Sequence, residues 1–316
     1  MIVALAGGVG GAKLADGLYR ALGPDTLAVV VNTADDFDLY GLRISPDADT
    51  VLYTLAGIAN PATGWGLAGD TFETLAMLRR YGEDTWFQVG DHDFATHLLR
   101  TQRLREGWSL TRVFAAFTEA LGVRARLLPM ADEPVATVVA TPDGELAFQE
   151  YFVRRRHSDT VRGVRFADIE AARIPDAVRQ AVSDASAIVF CPSNPIVSIG
   201  PILAVPGMRD LLRSSSAPKV AVSPIVGGRA LKGPADTMLR DLGHEASPFA
   251  VVSLYHDLLT GIVIDRADAE QQARIELLGV RVLVTDTVMT SLADRTRLAR
   301  EVAQFAAELR GDEGNV

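Results

Sequence analysis

The sequence has a single cysteine, Cys191, among 316 residues. One thiol excludes an intrachain disulfide framework and is typical of a protein from a reducing compartment. Long apolar runs are also missing, since none reaches the ~18 residues that a membrane-spanning helix needs. The first apolar run, residues 2–6, has no basic residues before it and ends in glycines, unlike a signal peptide. We therefore expect a cytoplasmic protein with no membrane partner.

An excess of positive charge is absent as well, because the formal net charge is -9. This balance argues against binding to nucleic acid or to an anionic membrane, but it leaves room for a local basic pocket that takes a small phosphorylated ligand. Hydrophobic residues make up 48% and charged residues 22% of the chain, so a large buried core is feasible. The length suits one large α/β unit or a core with a smaller cap.

Short apolar runs alternate with amphipathic stretches along most of the chain. Strands that are apolar on both faces, alternating with helices, predict a parallel sheet with helices on both sides. The predicted strands include IVALA, TLAVVVN, TWFQVGD, AIVF, KVAV, FAVVSLY and VRVLVTDT. The predicted helices span residues 12–22, 48–59, 70–82, 94–102, 109–121, 172–183 and 291–309, with Asp70 as the N-cap of the third.

Residues 126–164 differ in pattern from the rest of the chain. The stretch VATVVATPDGELAFQEYFV alternates apolar and polar residues around Pro-Asp-Gly, which predicts a β-hairpin. We interpret residues 1–125 and 165–310 as a Rossmann-like α/β core with a mostly parallel sheet. Residues 126–164 are then a hairpin-containing extension or cap.

The glycine-rich run GGVGGAK follows the first predicted strand. Its glycines Gly7, Gly8, Gly10 and Gly11 permit close backbone approach, and the next helix adds positive partial charge, so with Lys13 the run is a candidate phosphate cradle. It matches neither GxxxxGK[ST] nor GxGxxG, which argues against a P-loop kinase and a dehydrogenase. The alternative is a tight strand-to-helix turn that binds no ligand.

Five aspartates crowd the stretch after the second predicted strand: Asp35, Asp36, Asp38, Asp47 and Asp49. Like charges at such density repel unless a cation lies among them, and carboxylates are typical Mg²⁺ ligands beside substrate phosphates. We therefore predict a Mg²⁺ or substrate role for at least one of them. The alternative is capping, with Asp49 as a helix N-cap and Asp47 in a turn.

Three further features are candidates for ligand contact. Trp65 and Trp86 stand beside glycine or a helix start, where their rings could stack on a planar heterocycle or lie partly buried. The loop CPSNPIVSIGPIL is rigid and polar, and suits a base or a ribose. Arg229 and Lys232 are candidate phosphate partners or solvated loop residues. The sequence argues against a zinc site near His97, because it has no second ligand cluster.

These motifs occur together in an order that resembles one family. GGVGGAKL, NTADD, GLRISPDADTVLYTLAG, GWGLAGDTF, WFQVGDHDFATHLLRT, CPSNPIVSIGPIL and SPIVGG with KGPAD resemble the 2-phospho-L-lactate transferases of coenzyme F420 biosynthesis. The resemblance extends from residue 1 to about residue 290. It implies a Rossmann-like fold, a requirement for Mg²⁺ and assembly as a homodimer.

The implied reaction transfers a phosphorylated three-carbon acid. The donor is that acid (phospholactate, phosphoenolpyruvate or a relative) joined to guanosine diphosphate, and the acceptor is the ribityl hydroxyl of Fo, the deazaflavin precursor. GMP leaves and an F420-0 species forms. By the resemblance, Asp49 and Gln88 match Fo-contacting positions, while Ser193, Asn194 and Pro195 match the guanosine loop.

Physical reasoning assigns further roles within that reaction. Gly7 to Lys13 would hold the diphosphate, Asp36 or Asp49 would bind Mg²⁺ or orient the attacking hydroxyl, and Trp65 or Trp86 would stack on the deazaflavin. Two rival functions stay open. One is a related α/β nucleotide-sugar-binding regulator, and the other is a dinucleotide oxidoreductase; neither should bind Fo.

Overall fold

Seven parallel strands form the central sheet within residues 1–312, the part of the chain that the computed structural model describes. The strands of the chain are β1 Ile2–Ala6, β2 Leu27–Val31, β3 Phe37–Leu39, β4 Leu42–Ile44, β5 Arg126–Pro129, β6 Ala136–Thr141, β7 Gly144–Ala147, β8 Gly163–Ala167, β9 Ala187–Phe190, β10 Lys219–Val222, β11 Ile225–Val226, β12 Arg229–Ala230, β13 Gly261–Asp265 and β14 Arg281–Thr285. The central sheet has the order β14-β13-β10-β9-β1-β2-β5.

Helices connect these strands. They are α1 Gly8–Leu22, α2 Pro46–Leu55, α3 Glu73–Arg80, α4 Asp91–Arg105, α5 Leu110–Ala120, α6 Asp176–Ser183, α7 Gly200–Ala204, α8 Met208–Ser214, α9 Ala235–Asp241, α10 Pro248–Tyr255, α11 Gln272–Glu276 and α12 Leu292–Asp312. Short 3₁₀ turns occupy Pro24–Thr26, Ile169–Ala171 and Arg266–Gln271, and π-helical turns occupy Glu150–Arg154 and Pro195–Ile199.

The strand order reverses direction between β1 and β9. Ile2 pairs with Leu27 of β2 on one side and with Ala187 of β9 on the other. From β1 the chain first adds β2 and β5 at one edge, and later adds β9, β10, β13 and β14 at the other. In open parallel sheets, the carboxyl ends of the strands at such a reversal form the usual ligand crevice.

Helices cover both faces of the sheet, which confirms the predicted fold class. Val3 and Leu5 of β1 contribute to a core with α6, α8 and α10, whereas Ile2 and Ala4 contribute to a core with α1, α2, α5 and α12. The alternation of side chains along a strand produces this division. Each face of the central strands is therefore buried, as their continuous apolar sequence predicts.

A smaller antiparallel sheet, in the order β7-β6-β8, is the predicted hairpin with one added strand. It has its own apolar cluster around Phe148, Tyr151 and Val161, which also contacts Val197 from the π-helical turn. The predicted range of this unit, 126–164, differs from the structure at both ends. Residues 126–129 form β5 in the central sheet, and β8 continues to Ala167.

Three secondary-structure predictions are wrong. FAVVSLY is helix α10, because the Ser247 side chain caps its first turn by accepting from the Ala250 N–H and Pro248 occupies the first helical position. The strand in this region is β13, whose first residue is Gly261. A short run that is apolar on every side does not distinguish a buried strand from a buried helix.

The other two errors concern segments near the cavity described below. TWFQVGD forms no strand, and the rings of Phe37, Trp86 and Phe87 pack together there instead. The predicted rigid loop after β9 is short, because residues 195–204 are helical and Asn194 caps them by accepting from the N–H groups of Ile196 and Val197.

Asp70 does not cap the helix that follows it. Its carboxylate accepts from the N–H groups of His92 and Asp93 at the start of α4, at 2.8 and 3.2 Å. Asp91 in turn accepts from the N–H groups of Glu73 and Thr74 at the start of α3, at 3.0 and 2.8 Å. Each aspartate therefore caps the helix of the other, which joins the two helix N-termini.

None of the helices in the described residues is both long and apolar enough to cross a membrane by itself. One bent pair, Pro195–Ala204 with Met208–Ser214, meets that length and composition only when its two parts are taken together across an 83° bend.

Candidate active site

A cavity of about 670 Å³ opens at the carboxyl ends of the central strands. Its walls come from the segments that follow β1, β2, β9, β10 and β14, and from the extension around Phe148 and Phe152. The reversal between β1 and β9 lies within this wall, since both Gly7 and Ser193 line it. The fold thus brings the glycine-rich run, the acidic stretch and the loop after β9 to one place.

The first turn of α1 faces this cavity. The helix begins at Gly8, so most of the glycine-rich run is helical rather than loop. The Gly7 N–H donates to Ser193 Oγ at 3.0 Å and the Gly8 N–H donates to Asp47 Oδ1 at 2.8 Å. The following N–H groups of the first turn have no acceptor within the helix, and the helix dipole places positive partial charge there.

The glycines are required mainly by packing. A Cβ on Gly10 would overlap the Pro192 carbonyl oxygen, and one on Gly11 would overlap Ser193 Oγ. Within the run only Gly8 has a positive φ, at 61°. Backbone conformation therefore favours glycine at Gly8, whereas Gly10 and Gly11 let α1 approach the loop after β9, as the predicted close backbone approach requires.

Two lysines are the cationic side chains among the described residues that line the cavity. Lys13 Nζ donates to the Met289 carbonyl oxygen at 2.9 Å, and Lys232 Nζ donates to the Thr63 carbonyl oxygen. Burial lowers the pKa of both ammonium groups, and for Lys13 the nearby charges of Arg295 and Lys232 lower it further. Arg229, the other candidate cation, lies outside the lining.

An acidic pair, Asp35 and Asp47, lies beside the first turn of α1. Asn32 Nδ2 donates to one Oδ2 of each aspartate at 3.0 Å, and both aspartates line the cavity. Burial raises the pKa of Asp47 to about 6; burial and then the Asp47 charge raise that of Asp35 well above its usual value. Asp35 Oδ1 is buried and has no hydrogen-bond partner in the described part of the chain. Two such carboxylates without a bound cationic side chain provide ligands suited to Mg²⁺.

A second polar network surrounds Asp49. Asp49 Oδ1 is paired with the guanidinium of Arg100, and Asp49 Oδ2 lies 3.6 Å from His97 Nδ1. On the far side of the imidazole, His97 Nε2 lies 3.4 Å from Asp93 Oδ2, and the Tyr53 hydroxyl donates to Asp93 Oδ1 at 2.6 Å. Asp49 is not a helix N-cap, because α2 begins three residues before it. Asp49 lies instead at the start of the second turn of α2, from which its side chain enters this network.

The charges in this network respond to their surroundings in different ways. Burial raises the pKa of Asp49, and the neighbouring charge of Arg100 partly opposes the shift. Burial would also raise the pKa of Asp93, but hydrogen bonds from His97 and Tyr53 lower it overall. The carboxylates of this network are therefore held in place by defined donors.

The cluster of Asp49, Asp93 and His97 brings three ligand atoms within 4.8 Å of one another. The imidazole is nevertheless poorly suited to bind a metal. Its Nδ1 lies 3.2 Å from Arg100 NH1, which can only donate, so Nδ1 accepts and the proton is on Nε2. We therefore interpret the cluster as a hydrogen-bond network.

Asp36 does not line the cavity. It is 6% exposed, its Oδ2 accepts from the Ser45 hydroxyl at 2.6 Å, and Arg43 Nε lies 4.0 Å away. Burial raises its pKa to about 7. Asp36 thus lies behind the wall that Asp49 forms, where it holds the start of α2.

Aromatic side chains also line the cavity. Trp65 is 42% exposed and lines the wall together with Gln88 and Phe87. Trp86 does not reach the lining, because its ring packs against Phe37 and Phe87 with the Arg154 guanidinium 6.0 Å from its centroid. The structure therefore retains Trp65 as a stacking candidate and offers Phe87 in place of Trp86.

The predicted guanosine loop forms part of the cavity wall. The Ser193 hydroxyl bonds to the Gly7 main chain, and Asn194 Oδ1 caps the π-helical turn. Asn194 and Ser193 line the cavity, whereas Pro195 is buried in the first turn of that helix and Gly11 is buried against Ser193. The side-chain groups of this loop are thus used by the fold itself.

Several cavity residues were not predicted from sequence as site residues. Asp93 and His97 lie on one face of α4, with Arg100 one turn further on. The sequence does contain a signal for them: polar residues spaced three or four apart fall on one face of a helix. Thr287 to Thr290, after β14, carry no sequence signal because only the sheet order brings them here.

Known proteins resemble this chain over most of its length. Residues 2–278 match the family model of 2-phospho-L-lactate transferase CofD. The chain is 42% identical over 320 residues to a phosphoenolpyruvate transferase of Kitasatospora aureofaciens, with 98% of each chain covered. It is 39% identical over 303 residues to a 2-phospho-L-lactate transferase of Methanosarcina mazei, with 96% of this chain and 99% of that one covered.

A solved structure is similar in fold. A UPF0052 family protein from Bacillus halodurans superposes with a TM-score of 0.62 at 15% identity, over 96% of this chain and 98% of that one. At this identity the similarity concerns the fold alone, and it supports the Rossmann-like description.

Proposed function

The chain belongs to the 2-phospho-L-lactate transferase CofD family, and we propose that it transfers a phosphorylated three-carbon acid from its guanosine diphosphate conjugate to the ribityl hydroxyl of Fo. Membership makes the protein a transferase of the phospholactate or phosphoenolpyruvate type. The observation that carries the finer proposal is the cavity, whose wall contains the N-terminus of α1 and two acidic groups with different partners.

The donor diphosphate would lie at the first turn of α1. Free N–H groups at a helix start, together with Lys13 and Lys232, match the charge of a diphosphate. The main chain of Ser193 and Asn194 would border the guanosine. Both lysines already donate to carbonyl oxygens, so binding replaces neutral acceptors by charged ones, which strengthens their hydrogen bonds.

Mg²⁺ would be held by Asp35 and Asp47 in this proposal. The sequence predicts Asp36 and Asp49 as ligands, but Asp36 lies behind the wall and Asp49 is paired with Arg100. The unpartnered Asp35 Oδ1 and the raised pKa values of the pair support the alternative assignment. A bound Mg²⁺ would neutralise charge on the donor phosphates and favour in-line departure of GMP.

Asp49 would receive the acceptor hydroxyl. The hydroxyl oxygen forms a bond to the phosphorus that carries the three-carbon acid, the bond from that phosphorus to the GMP oxygen breaks, and the hydroxyl proton passes to Asp49. The Asp49 Oδ2 atom suits this role because it is buried and no described residue forms a hydrogen bond with it. Positioning and charge neutralisation supply most of the rate enhancement in such transfers.

The deazaflavin ring would lie in the aromatic part of the cavity. Trp65, Phe87, Phe148 and Phe152 line the cavity, and so does Gln88 with its neutral amide. Offset or edge-on packing of aromatic rings contributes roughly 0.5–1.5 kcal/mol beyond burial. This arrangement supports Fo as the acceptor over a smaller alcohol.

The test is an end-point assay with purified protein, Fo and Mg²⁺. Guanylylated phospholactate, phosphoenolpyruvate and 3-phosphoglycerate are supplied in turn, and products are identified by mass. We expect an F420-0 species and GMP from one donor. An Fo titration followed by fluorescence serves as the control, because absence of Fo binding would favour a nucleotide-sugar-binding regulator.

The same assay tests the acidic residues. Asp49→Asn is expected to lose turnover by about 10²–10⁴-fold, in the range for removal of a proton acceptor, and Asp47→Asn is expected to raise the Mg²⁺ concentration needed for half-maximal rate. Asp36→Asn should retain more activity than either. Full turnover by Asp49→Asn at saturating Mg²⁺ would refute the assignment.

A further inference from the structure

Arg100 of α4 is buried completely, with 0% exposure, and it does not line the cavity. It is among the largest side chains that the described residues bury in this way. An arginine cannot give up its charge in a protein, and removing a guanidinium from water is costly unless donors are satisfied. The position therefore requires partners, and their identity indicates what the residue does.

The guanidinium joins three elements. Its NH2 group is paired with Asp49 Oδ1 of α2, and its NH1 group donates to the Arg43 carbonyl oxygen of β4 at 3.1 Å and to His97 Nδ1 of α4 at 3.2 Å. The rigid, planar guanidinium holds these three partners in fixed directions, so it sets where Asp49 Oδ1 lies relative to the His97 ring and to β4. A lysine has one nitrogen and cannot reproduce three directions with the same geometry.

The contact between Arg100 and Asp49 Oδ1 determines which carboxylate oxygen of Asp49 can bind a ligand. With Oδ1 committed to Arg100, Oδ2 is the oxygen left to accept a hydrogen bond from a bound molecule. His97 Nδ1 lies 3.6 Å from this Oδ2 but accepts from Arg100, so the imidazole does not compete for it. The Arg100 guanidinium thus leaves Asp49 Oδ2 without a partner in two ways: it pairs with Oδ1 instead, and it donates to the His97 nitrogen that lies nearest to Oδ2.

We propose that Arg100 is a positioning residue, which holds the Asp49 carboxylate and the His97 imidazole so that Asp49 Oδ2 faces the acceptor hydroxyl. The inference rests on the proposed function. Because Arg100 does not itself line the cavity, it acts through Asp49 and His97, which do, and its loss changes the orientation of these groups rather than a direct contact with substrate. A misplacement of this kind costs on the order of 10²-fold in rate.

The test is a double-mutant cycle in steady-state kinetics, with Arg100→Met, Asp49→Asn and the double variant, measured 15 °C below the lowest melting temperature of the set. The methionine is similar in length and can occupy the volume without a charge. We expect Arg100→Met to lower kcat by about 10–100-fold, with little change in the KM of the donor. We expect the double variant to be no slower than Asp49→Asn, since both changes disable the same group.

Arg100→Lys separates charge from geometry. If the geometry of the guanidinium is what matters, this variant keeps the positive charge but recovers only a small part of kcat. Asp16→Asn is the matched structural control, because Asp16 is a buried carboxylate that pairs with Arg20 and Arg295 between α1 and α12 and does not line the cavity. It should lower the melting temperature and leave kcat near the wild-type value.

Two results would overturn the inference and leave the proposed function intact: wild-type kcat in Arg100→Met, or a double variant whose loss equals the product of the two single losses. If the wild-type protein turns over no donor with Fo, the proposed function fails and the inference fails with it. The wild-type control distinguishes these cases.

Discussion

At the scale of single residues, the buried carboxylates differ in what neutralises each of them. Asp49 has the Arg100 guanidinium, and Asp36 has a hydroxyl with a guanidinium 4.0 Å away. Asp35 and Asp47 share the Asn32 amide, and Asp47 also accepts from the Gly8 N–H. A carboxylate that is buried with weak compensation holds its proton more tightly in the folded state than in the unfolded state. Such a group lowers stability once the pH is high enough to ionise it.

Asp36→Asn should therefore stabilise the protein at alkaline pH. Burial raises the pKa of Asp36 to about 7, so between pH 4 and 7 the folded state binds more protons than the unfolded state and the unfolding free energy falls as the pH rises. The asparagine has no proton to lose. We expect the variant to gain up to about 3 kcal/mol on the wild type between pH 5 and pH 8.

The measurement is urea unfolding of the metal-free protein at both pH values. Asp38→Asn is the control, because the Asp38 side chain in the same stretch is 74% exposed and its charge is not buried. A stability difference between Asp36→Asn and wild type that is the same at pH 5 and pH 8 would contradict the prediction.

At the scale of elements, helix N-termini make contacts that stabilise the fold and also shape the site. The start of α1 packs against the loop after β9 so closely that Gly10 has no room for a side chain. The starts of α3 and α4 are joined by exchanged caps from Asp91 and Asp70. In each case a local motif in the sequence is completed by a segment distant along the chain.

Gly10→Ala should destabilise the protein although alanine favours helices by about 1 kcal/mol over glycine. The new Cβ would overlap the Pro192 carbonyl oxygen, and overpacking of this kind costs about 1–3 kcal/mol. Urea unfolding measures the change. Gly311→Ala in α12 is the matched control, since a Cβ there meets no atom of the described residues within 4 Å. Equal effects in the two variants would refute the packing explanation.

Asp70→Ala should cost about 1 kcal/mol of stability, as loss of an N-cap does, and should also lower turnover. The second effect is expected because α4, which Asp70 caps, carries His97 and Arg100. Ser109→Ala removes the cap of α5, where the serine accepts from the Arg112 N–H, and should cost similar stability without affecting turnover. Equal turnover in the Asp70→Ala and Ser109→Ala variants would contradict the prediction that the cap of α4 supports the site.

At the scale of the whole molecule, one cavity unites the sheet edge with the extension. Phe148 and Phe152 reach it from the extension, while Gly7 and Asp47 reach it from the central core. A ligand that contacts both parts binds only the folded state and so stabilises it. Homodimer assembly and a cytoplasmic location stay predictions from the sequence.

GDP with Mg²⁺ should raise the melting temperature. At a ligand concentration of 100 times Kd the gain is about 2.7 kcal/mol. If Asp47 contributes to the Mg²⁺ site, Asp47→Asn should lose the part of the shift that depends on Mg²⁺ and keep the part due to GDP alone. Thermal scans with GDP, with Mg²⁺ and with both distinguish these parts. A full Mg²⁺-dependent shift in the variant would contradict the assignment to Asp35 and Asp47.

The predictable part of the fold rests on strong local patterns. The apolar run of β1 and the helical spacing after it predict an α/β core, and the Pro-Asp-Gly stretch predicts the hairpin, because strand burial and turn chemistry are local. The prediction of a strand at FAVVSLY was wrong because its apolar pattern fits a buried strand or a buried helix. The N-cap from Ser247 favours the helix. Asp70 was assigned to its nearest helix, whereas the partner it caps is twenty-two residues further on.

The sequence by itself determined the fold class, the family and the chemical kinds of group at the site: a glycine-rich helix start, aspartates and aromatic rings. Only the tertiary structure decided which aspartates line the cavity, which aromatic rings face it and that Arg100 pairs with Asp49. The physical reason is that charge pairing and burial depend on distances between segments far apart in sequence. The residue type sets the interactions that a side chain can form, and its neighbours in the folded structure decide which of them it forms.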